Sequence, residues 1–320
     1  MTNWRPLSNK DVAMRRAAML ERARQYFSDQ GLLSVDTPAL MRFPSSDPNI
    51  ENIGIRSKPG KDSYLHTSPE AYMKRLLADG FPDIYSICRV YRDGESGARH
   101  LPEFTMAEWY RLGFDLDAIV DDTIDFIAAC LNHSALRDQV DRFNYYDAMQ
   151  EIAGIDALCA SNQELAERAT DDSRLRKELN DDRNAALDLI MRTVVAPEFA
   201  PDRLTVVQHY PAEQAALARL CPDDDRVADR FEIFCGELEI ANGYVELTDA
   251  NEQRQRFEVD VAKREETGRS SLLIDEPLLA ALSAGLPECA GVALGIERLH
   301  MVLDQTEDIR DVITFATETA

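Results

Sequence analysis

The chain has 320 residues, of which 45% are hydrophobic and 29% are charged, and its formal net charge is -23. The hydrophobic content is sufficient for a sizeable core and excludes a disordered chain. The negative charge repels nucleic acid, so any RNA site would have to be a local basic patch. A purely solubilising role, or adaptation to a salty habitat, explains the acidity equally well.

Six cysteines are widely separated, and they form neither a CxxC pair nor a cysteine–histidine cluster at zinc-binding spacing. Most lie in apolar surroundings, which is typical of reduced core residues. The first residues lack the apolar stretch of a signal peptide, and no apolar run reaches the length that spans a membrane. We therefore expect a cytoplasmic protein that does not associate with membranes.

Helix and strand patterns alternate in the first quarter of the chain. Apolar residues at helical spacing predict a helix over residues 11–30. Residues 32–38 are typical of a strand, and because they end at a proline this strand should lie at a sheet edge or an interface. An irregular loop over residues 41–61 and a short strand over residues 63–67 follow.

The segment Thr67-Ser68-Pro69-Glu70 has the composition of a helix start. A capping residue precedes a proline in the first turn, and an acidic residue follows near the positive end of the helix dipole. The sequence therefore predicts a helix from this segment to about Gly80. A capping carboxylate is the ordinary role for Glu70.

A hairpin rich in cationic residues follows this helix. Strands are predicted over residues 84–90 and 104–110, and the loop composition of residues 93–97 lies between them. Three cationic side chains lie at the end of the first strand and in the loop, namely Arg92, Arg99 and His100. Such a set of donors suits a polyphosphate. Taken alone, a surface hairpin with scattered charges fits the stretch equally well.

The middle of the chain offers little chemistry. An amphipathic helix is predicted over residues 117–132, and residues 134–203 are mostly helical and polar in pattern. We interpret the range 134–203 as an inserted helical lobe and not as a separate domain. A strand over residues 204–210 follows it.

Residues 231–247 combine strand patterns with acidic residues. Turns are expected at Cys235-Gly236 and at Asn242-Gly243. With two residues in the first turn, Glu232 would lie directly opposite Glu239, which is unfavourable unless a cation lies between them. Mg²⁺ is bound by one or two protein carboxylates together with substrate phosphates, so the two acids suit it. The alternative is that both acids face solvent.

The last part of the chain ends in a strand that leads into a helix. Residues 249–267 and 272–283 predict two helices before it. The strand contains Gly291 and Gly295, and the first turns of the following helix contain Arg298. A close-approach glycine and an arginine next to a helix start suit a bound phosphate. Helix packing explains the glycine spacing about as often.

Four strings in these regions occur together in one known family. They are Thr-Ser-Pro-Glu, Arg-His-x-Pro-Glu-Phe-Thr-Met, Glu-Ile-Ala-Asn-Gly and Gly-Ile-x-Arg. With them, the whole chain resembles the catalytic domain of class II aminoacyl-tRNA synthetases, specifically of the lysyl type. The resemblance implies an α+β fold with a mainly antiparallel sheet flanked by helices, in a single domain over residues 1–320 with a helical insertion at about 134–203. It also implies a homodimer, because the segment that ends at Pro38 matches the family's dimer-interface motif.

Lysyl-tRNA synthetases carry an N-terminal barrel that binds the anticodon, whereas the catalytic pattern of this chain begins almost at Met1. A chain of this type resembles a paralogous family, the ligases that modify elongation factor P. The resemblance implies that (R)-β-lysine or lysine is activated with ATP as an adenylate, and that a lysine side chain of elongation factor P accepts it, without tRNA. Two alternatives stay open: a truncated lysyl-tRNA synthetase-like enzyme with another acceptor, and a catalytically dead amino-acid-binding regulator.

The family's site residues carry over to matching positions of this sequence. The resemblance implies that ATP is bound by Arg92, His100, Phe104, Glu239, Gly295 and Arg298. Arg92 and Arg298 would be catalytic through their phosphate contacts. The amino-acid substrate would be bound by Ser68, Glu70, Glu108, Tyr110, Asn242, Glu246 and Ala293. Mg²⁺ would be held by Glu239 together with Glu232.

Three positions depart from the family pattern. Gly94 stands where the family has a glutamate that contacts adenine, and Glu95 follows it. Leu101 replaces an asparagine, which removes a polar contact to the nucleotide. Ala293 replaces a glycine that lines the lysine pocket. The added methyl agrees with a β-amino acid, although one methyl discriminates by only about 1–3 kcal/mol.

Overall fold

The computed structural model describes residues 4–58, 61–269 and 272–316. The α-helices in these ranges are α1 (Lys10–Asp29), α2 (Glu70–Ala78), α3 (Leu116–Leu131), α4 (Tyr145–Ala148), α5 (Asn162–Ala169), α6 (Ser173–Asn180), α7 (Arg183–Ile190), α8 (Ala250–Glu266), α9 (Glu276–Gly285) and α10 (Ile296–Asp304). The strands are β1 (Leu33–Ser34), β2 (Leu40–Met41), β3 (Gly54–Lys58), β4 (Lys61–Leu65), β5 (Ile84–Tyr91), β6 (Glu103–Leu112), β7 (Val140–Asn144), β8 (Leu204–Pro211), β9 (Leu220–Cys221), β10 (Asp224–Cys235), β11 (Leu238–Val245) and β12 (Cys289–Gly295). None of these helices has both the length and the apolar character needed to cross a membrane.

Most of the strands form one large sheet. Its strand order is β1-β5-β6-β12-β11-β10-β8-β7, and β9 pairs with β10 outside this order. The neighbouring strands in the stretch β5-β6-β12-β11-β10-β8 are antiparallel to each other. The pairs β1–β5 and β7–β8 at the two ends of the sheet are parallel. A small sheet has the order β2-β4-β3. The large, mainly antiparallel sheet flanked by helices confirms the expected α+β class.

Helices α1 and α3 cover one face of the large sheet. Phe27 of α1 lies with its ring centroid 4.7 Å from that of Phe126 on α3 and 5.4 Å from that of Trp109 on β6. All three side chains are fully buried in one apolar cluster with residues of β10, β11 and β12. This packed layer fixes the positions of the strands, and therefore of the side chains on the opposite face of the sheet.

A buried carboxylate lies inside this apolar layer. Asp122 of α3 accepts hydrogen bonds from the indole of Trp109 at 2.9 Å and from the hydroxyl of Tyr26 at 2.8 Å. Buried polar groups are tolerated when they are paired in this way. One acceptor therefore satisfies donors on α1 and on β6 and ties three elements together.

The alternation of side chains along a strand gives the sheet a second, polar face. In β6, Ala107 and Trp109 lie in the helix-covered core, whereas Glu108 and Tyr110 lie on the other face. Residues of the loop that follows β2, of α8 and of α9 wall a cleft above this second face.

Residues 134–203 contain helices α4 to α7 and also strand β7. They have a core of their own, in which Tyr145 and Leu165 are buried, and this core extends onto β8 and β10 through Val207 and Phe234. Strand β7 pairs in parallel with β8, which the polar composition of the segment did not indicate. That the lobe is an insertion into a single domain stays a prediction.

The predicted register of the acidic hairpin is wrong. Glu232 lies opposite Asn242 and not opposite Glu239. The turn comes one residue later than expected, since Cys235 pairs with Leu238 across a two-residue loop. Asn242 accordingly lies inside β11 and not in a second turn.

A β-bulge in β11 adds to this shift in register. The ladder between β10 and β11 skips Ile240. Because side chains alternate along a regular strand, residues three positions apart ordinarily face opposite ways. The extra residue places Glu239 and Asn242 on the same face of the sheet, where both line one cavity.

Replacing Asp122 with alanine should destabilise the fold, because the Trp109 indole would lose its acceptor in the core and the Tyr26 hydroxyl would keep only the backbone oxygen of residue 122 at 3.1 Å. At about 1–3 kcal/mol for the unsatisfied indole, we expect the free energy of unfolding in urea to fall by about that amount. The matched control is Asp121→Ala on the same helix, which removes an exposed ion pair with Arg142 and should cost at most about 1 kcal/mol. Equal losses in the two variants would contradict the role given to Asp122.

Candidate active site

One face of the sheet brings the predicted strand residues together. Direct neighbours across β10, β11, β12 and β6 are Glu232, Asn242, Ala293 and Glu108. The next row on the same face consists of Arg230, Tyr244, Gly291 and Tyr110. Polar residues at these positions therefore form a continuous surface, although they are far apart in sequence.

Two adjoining cavities of about 220 Å³ each lie at this face. The first is lined by all the predicted substrate residues, namely Ser68, Glu70, Glu108, Tyr110, Asn242, Glu246 and Ala293. The second is lined by all the predicted nucleotide residues, namely Arg92, His100, Phe104, Glu239, Gly295 and Arg298. Residues that line both are Arg92, Met106, Asn242 and Ala293. Of the predicted site residues, Glu232 alone lines neither cavity.

A buried ion-pair cluster lies beside the first cavity. The ammonium of Lys74 is 2.7 Å from Glu70 Oε1 and 2.5 Å from Glu246 Oε2. The side chains of Lys74 and Glu246 are only 2% and 1% exposed. Tyr244 donates a hydrogen bond to Glu70 Oε1 at 2.7 Å, and its ring centroid is 5.6 Å from the Lys74 ammonium. Buried charges persist when they are paired in this way.

Sequence reasoning missed Lys74. The four-residue spacing of Glu70 and Lys74 on α2 was a signal, but such pairs ordinarily lie on exposed helix surfaces. Glu246 comes from a distant part of the chain and turns the pair into a buried cluster of three. Burial alone lowers the pKa of Lys74, but the charges of Glu246 and Glu70 outweigh it and raise the pKa, so the ammonium stays charged.

A third carboxylate in the first cavity has no cation of its own. The hydroxyl of Tyr110 donates to Glu108 Oε1 at 2.8 Å, and within the described part of the chain nothing donates to its Oε2. Burial, followed by the charge of Glu70, raises the pKa of Glu108 well above its usual range. Burial also raises the pKa of Glu246 to about 8, although Lys74 acts in the opposite direction. The cluster contains more acid than Lys74 neutralises, so it suits a ligand that brings a further ammonium group.

Gly291 makes room for this cluster. A β-carbon at this position would lie 2.5 Å from Glu246 Oε1 and 2.5 Å from the ring of Tyr110. Two residues further along β12, the methyl-bearing Ala293 lines both cavities. Packing therefore requires glycine at the first of these positions and accepts alanine at the second.

The second cavity contains an arginine whose donors are only partly used. Arg92 lies with its guanidinium carbon 5.2 Å from the ring centroid of Phe104 and its Nη1 3.6 Å from a carboxylate oxygen of Glu95. Its Nε is buried, and no hydrogen-bond partner for it lies among the described residues. Leaving such a donor unpaired is costly, so a ligand oxygen at this point would stabilise it.

Arg298 joins three elements around the same cavity. It donates through Nη1 to the backbone oxygen of Glu239 at 2.9 Å and to Glu239 Oε2 at 3.2 Å. Its Nη2 lies 2.7 Å from His100 Nε2. Because a guanidinium only donates, Nε2 of His100 is the acceptor and Nδ1 carries the hydrogen. Burial and the Arg298 charge lower the pKa of His100, so the ring is neutral at pH 7.

Glu297 holds the helix that carries Arg298, and sequence reasoning missed it. Its buried carboxylate accepts from Arg16 at 2.7 Å and from the backbone N–H of Thr105 at 2.8 Å. These contacts tie the start of α10 to α1 and β6 and so fix the position of Arg298. The partner on α1 is 281 residues away in sequence, which leaves no local pattern to find.

Glu95 reaches the second cavity where the sequence departs from the family. Gly94 has a φ of +73°, in the left-handed region that favours glycine. After this turn, Glu95 lines the cavity beside Arg92. Leu101, at the second departure, lines the same cavity and packs against the apolar cluster around Met301.

Glu232 lies on the same face of the sheet but lines neither cavity, and both of its oxygens are engaged. Tyr210 donates to Oε2 at 2.7 Å, and Arg230 donates to Oε1 at 2.7 Å. Burial and the charge of Glu239 raise the pKa of Glu232 to about 7. Arg230 also donates to Asn242 Oδ1 at 3.2 Å, which leaves the amide NH₂ of Asn242 as the end that can donate to a ligand. The expected role of Glu232 as a metal ligand stays a prediction.

Comparison with known proteins gives the family. The family model of tRNA synthetases class II (D, K and N) matches residues 2–319. The chain belongs to this family. Its arginine-bearing hairpin, acidic strand pair and glycine-bearing strand are therefore the parts of a class II synthetase fold, as their sequence strings implied.

Curated relatives match over nearly their whole length, and each of the three described here is named elongation factor P–(R)-β-lysine ligase. The relative from Avibacterium paragallinarum is 41% identical over 325 residues, which cover 99% of this chain and 98% of the relative. The relative from Haemophilus influenzae strain Rd is 39% identical over 325 residues, which cover 100% and 99%. The relative from Sodalis glossinidius is 41% identical over 324 residues, which cover 99% and 98%.

Two glycine-to-alanine variants on β12 should separate packing from nucleotide contact. Gly291→Ala forces the new methyl against Glu246 and Tyr110, so we expect a lower melting temperature and loss of amino-acid binding. At Gly295 a β-carbon would lie 3.9 Å from Arg298, an ordinary contact. We expect Gly295→Ala to melt like the wild type and to raise the KM for ATP about tenfold, since the methyl enters the second cavity. A normal KM for ATP in Gly295→Ala would contradict the assignment of Gly295 to the nucleotide site.

Binding of a diamino acid should release protons from the first cavity. A carboxyl with a raised pKa holds its proton in the free protein and must lose it to pair with an ammonium group. Affinity should therefore rise with pH as Glu108, whose pKa lies well above its usual range and which pairs with no cation among the described residues, gives up its proton. Calorimetry at pH 7 in two buffers of different ionisation enthalpy measures the release, and Glu108→Gln should reduce it. Identical binding enthalpies in both buffers would show that binding releases no protons and would refute the prediction.

Proposed function

We propose that the chain is an ATP-dependent ligase that activates (R)-β-lysine, or lysine, as an adenylate and transfers it to a lysine side chain of elongation factor P. The name shared by relatives at about 40% identity supports this substrate and acceptor. The observation that carries the proposal is the common wall of the two cavities. A pocket with excess carboxylate opens directly onto an arginine-lined cavity through Asn242 and Ala293.

The first step forms the adenylate. A carboxylate oxygen of the amino acid attacks the α-phosphorus of ATP, an O–P bond forms, and the bond to the departing pyrophosphate breaks. Arg92 lies in both cavities, so its guanidinium is available to the charge that develops on the α-phosphate. Arg298 is the second catalytic residue and takes the far phosphates. Phe104 offers a ring face for adenine, and Glu95 takes the place of the missing adenine contact.

The amino-acid substrate is bound by its charges. Glu70 pairs with the amino group near the reacting carboxyl, with Ser68 beside it. Asn242 donates through its amide NH₂ to the substrate carboxylate. Glu108 and Glu246, with Tyr110, receive the terminal ammonium in the buried end of the pocket. Positioning of the carboxylate against ATP supplies most of the catalysis.

The second step consumes the adenylate. The side-chain amine of the acceptor lysine attacks the activated carbonyl carbon, an amide bond forms, and AMP leaves with the electrons of the C–O bond. The amine loses its proton to solvent. His100, which is neutral and accepts from Arg298 through Nε2, keeps the loop that bears Arg99 in place.

Mg²⁺ fits the second cavity through Glu239. Its carboxylate lines the cavity, and one carboxylate with substrate phosphates is a donor set that Mg²⁺ prefers. When bound, the ion would neutralise phosphate charge. Glu232 would serve as a further ligand only after exchanging its contact with Tyr210 or Arg230.

We propose a homodimer that acts without tRNA, in the cytoplasm. The net charge of -23 favours a protein acceptor over a polyanion. Six free cysteines agree with a reducing compartment.

A catalytically dead regulator is the second candidate, and the site disfavours it. Synthetase paralogues without activity typically lack the phosphate-binding arginines or acids. Arg92, Glu239 and Arg298 line one cavity together. The departures at Gly94 and Leu101 are the features that favour the regulator, and Glu95 in the same cavity offsets the first of them.

Intact-mass spectrometry of elongation factor P tests the function. After incubation with the protein, ATP and (R)-β-lysine, we expect the mass to rise by one β-lysyl group. Arg92→Ala should abolish both this change and substrate-dependent pyrophosphate exchange, because the α-phosphate loses its cation. The control is Arg174→Ala, an exposed arginine on α6, which should act like the wild type. If the protein instead aminoacylates tRNA and leaves elongation factor P unmodified, the truncated synthetase is supported. If it consumes no ATP, the regulator is supported.

A further inference from the structure

Three potential metal ligands meet at β8, β9 and β10, outside the residues that line the two cavities. They are His209 on β8, Cys221 on β9 and Asp229 on β10. One ligand atom from each lies within 4.8 Å of the other two. Their sequence spacing is not that of any local zinc motif, so only the fold brings them together.

An irregularity in the sheet creates this meeting point. Between β8 and β10 the register shifts, since Ala228 pairs with Tyr210 whereas Phe231 pairs with Gln208. Two residues of β10 therefore face one residue of β8, and His209 at this position has a φ of +57°. Bulges of this kind redirect side chains, and here the redirected side chains are an imidazole and a carboxylate.

The hydrogen bonds fix which nitrogen of His209 is free. Asn144 donates through its NH₂ to Asp147 at 2.9 Å, so its Oδ1 is the atom that faces His209 Nδ1, also at 2.9 Å. A carbonyl oxygen only accepts, so Nδ1 carries the hydrogen. In the neutral ring Nε2 then has a lone pair, and it points at Asp229 Oδ1 across 3.9 Å. Two acceptors in this arrangement attract a cation between them.

The carboxylate is oriented by a partner of its own. Arg219 donates to Asp229 Oδ2 at 2.8 Å, which leaves Oδ1 for the side of His209. Histidine ligands in metal sites ordinarily donate their other nitrogen to an oxygen, as His209 does to Asn144. Asp229 is buried, whereas His209 and Cys221 are half-buried, so an ion can enter from solvent.

We propose that His209, Cys221 and Asp229 bind one zinc ion, with water as the fourth ligand. Nitrogen, sulfur and oxygen donors are the set that Zn²⁺ takes, at metal–ligand distances of about 2.0–2.3 Å. Ligand atoms in such a tetrahedral site lie about 3.5 Å from one another, and small side-chain rotations bring the present separations of up to 4.8 Å to that spacing. As the Zn–S bond forms, the thiol of Cys221 loses its proton to solvent. The competing arrangement is a protonated His209 that pairs with Asp229 without a metal.

The ion would hold a wall of the substrate cavity. The connection between His209 and Cys221 contains Ala216 and Leu217, which line the first cavity, and Ala216 has a φ of +50°. A zinc ion that joins β8, β9 and β10 would fix both ends of this connection. Zinc should therefore raise the melting temperature of the protein, as any ligand of the native state does.

Zinc binding to the tag-free, chelator-treated protein tests the proposal. Zn²⁺ is titrated against a competing chromophoric chelator in excess Mg²⁺, which occupies the carboxylate site at Glu239. We expect one equivalent to bind. His209→Gln and Cys221→Ser should each lose this equivalent, whereas the controls His133→Gln and Cys159→Ser, at an exposed histidine and an exposed free cysteine, should keep it.

A second measurement uses the wild-type protein alone, so it does not depend on the folding of variants. Iodoacetamide labelling with peptide mass spectrometry should show Cys221 protected by zinc while Cys159 stays reactive. The proposal fails if no equivalent binds, if both site variants bind as well as the wild type, or if zinc leaves the labelling of Cys221 unchanged. The first of these outcomes would support the metal-free pair of His209 and Asp229.

Discussion

A buried ammonium group sets the conditions for the whole substrate cavity. Lys74 is removed from water, and its charge persists because Glu70 and Glu246 both contact it. The glycine at position 291 follows from this cluster, since any larger residue would displace Glu246. With Glu108 included, acid exceeds base, so a cationic ligand completes the charge balance of the interior. A diamino acid would therefore be recognised by the positive charge that it adds to this cluster as well as by its shape.

Arg298 has a comparable position in the second cavity. It connects the acidic hairpin through Glu239 with the loop that bears His100, and Glu297 anchors the helix beneath it. The groups assigned to the phosphates in the proposed function consequently belong to one network that spans β6, β11 and α10. In the proposed reaction, the residues shared by the two cavities would place the reacting carboxylate and phosphate next to each other, which is the main requirement of adenylate formation.

The motif residues could be predicted from sequence because each string is short and local. Their strand faces followed as well, since alternation sends Glu108 and Tyr110 to the same side. The hairpin register could not be predicted, because nothing in the composition reveals that Ile240 is skipped. Lys74 and Glu297 were missed for another reason: their partners are distant in sequence, and a charged residue without its partner is indistinguishable from a surface one.

The skipped residue in β11 also limits how this hairpin can evolve. A regular strand with the same number of residues would turn Glu239 into the helix-covered core and bring Ile240 to the face that carries Asn242. Loss of one residue between Glu239 and Asn242 would instead remove the bulge and leave both side chains on one face, as in any regular strand. The hairpin is thus free to shorten by the skipped residue but cannot straighten at its present length without exchanging a charged side chain and an aliphatic one across the sheet.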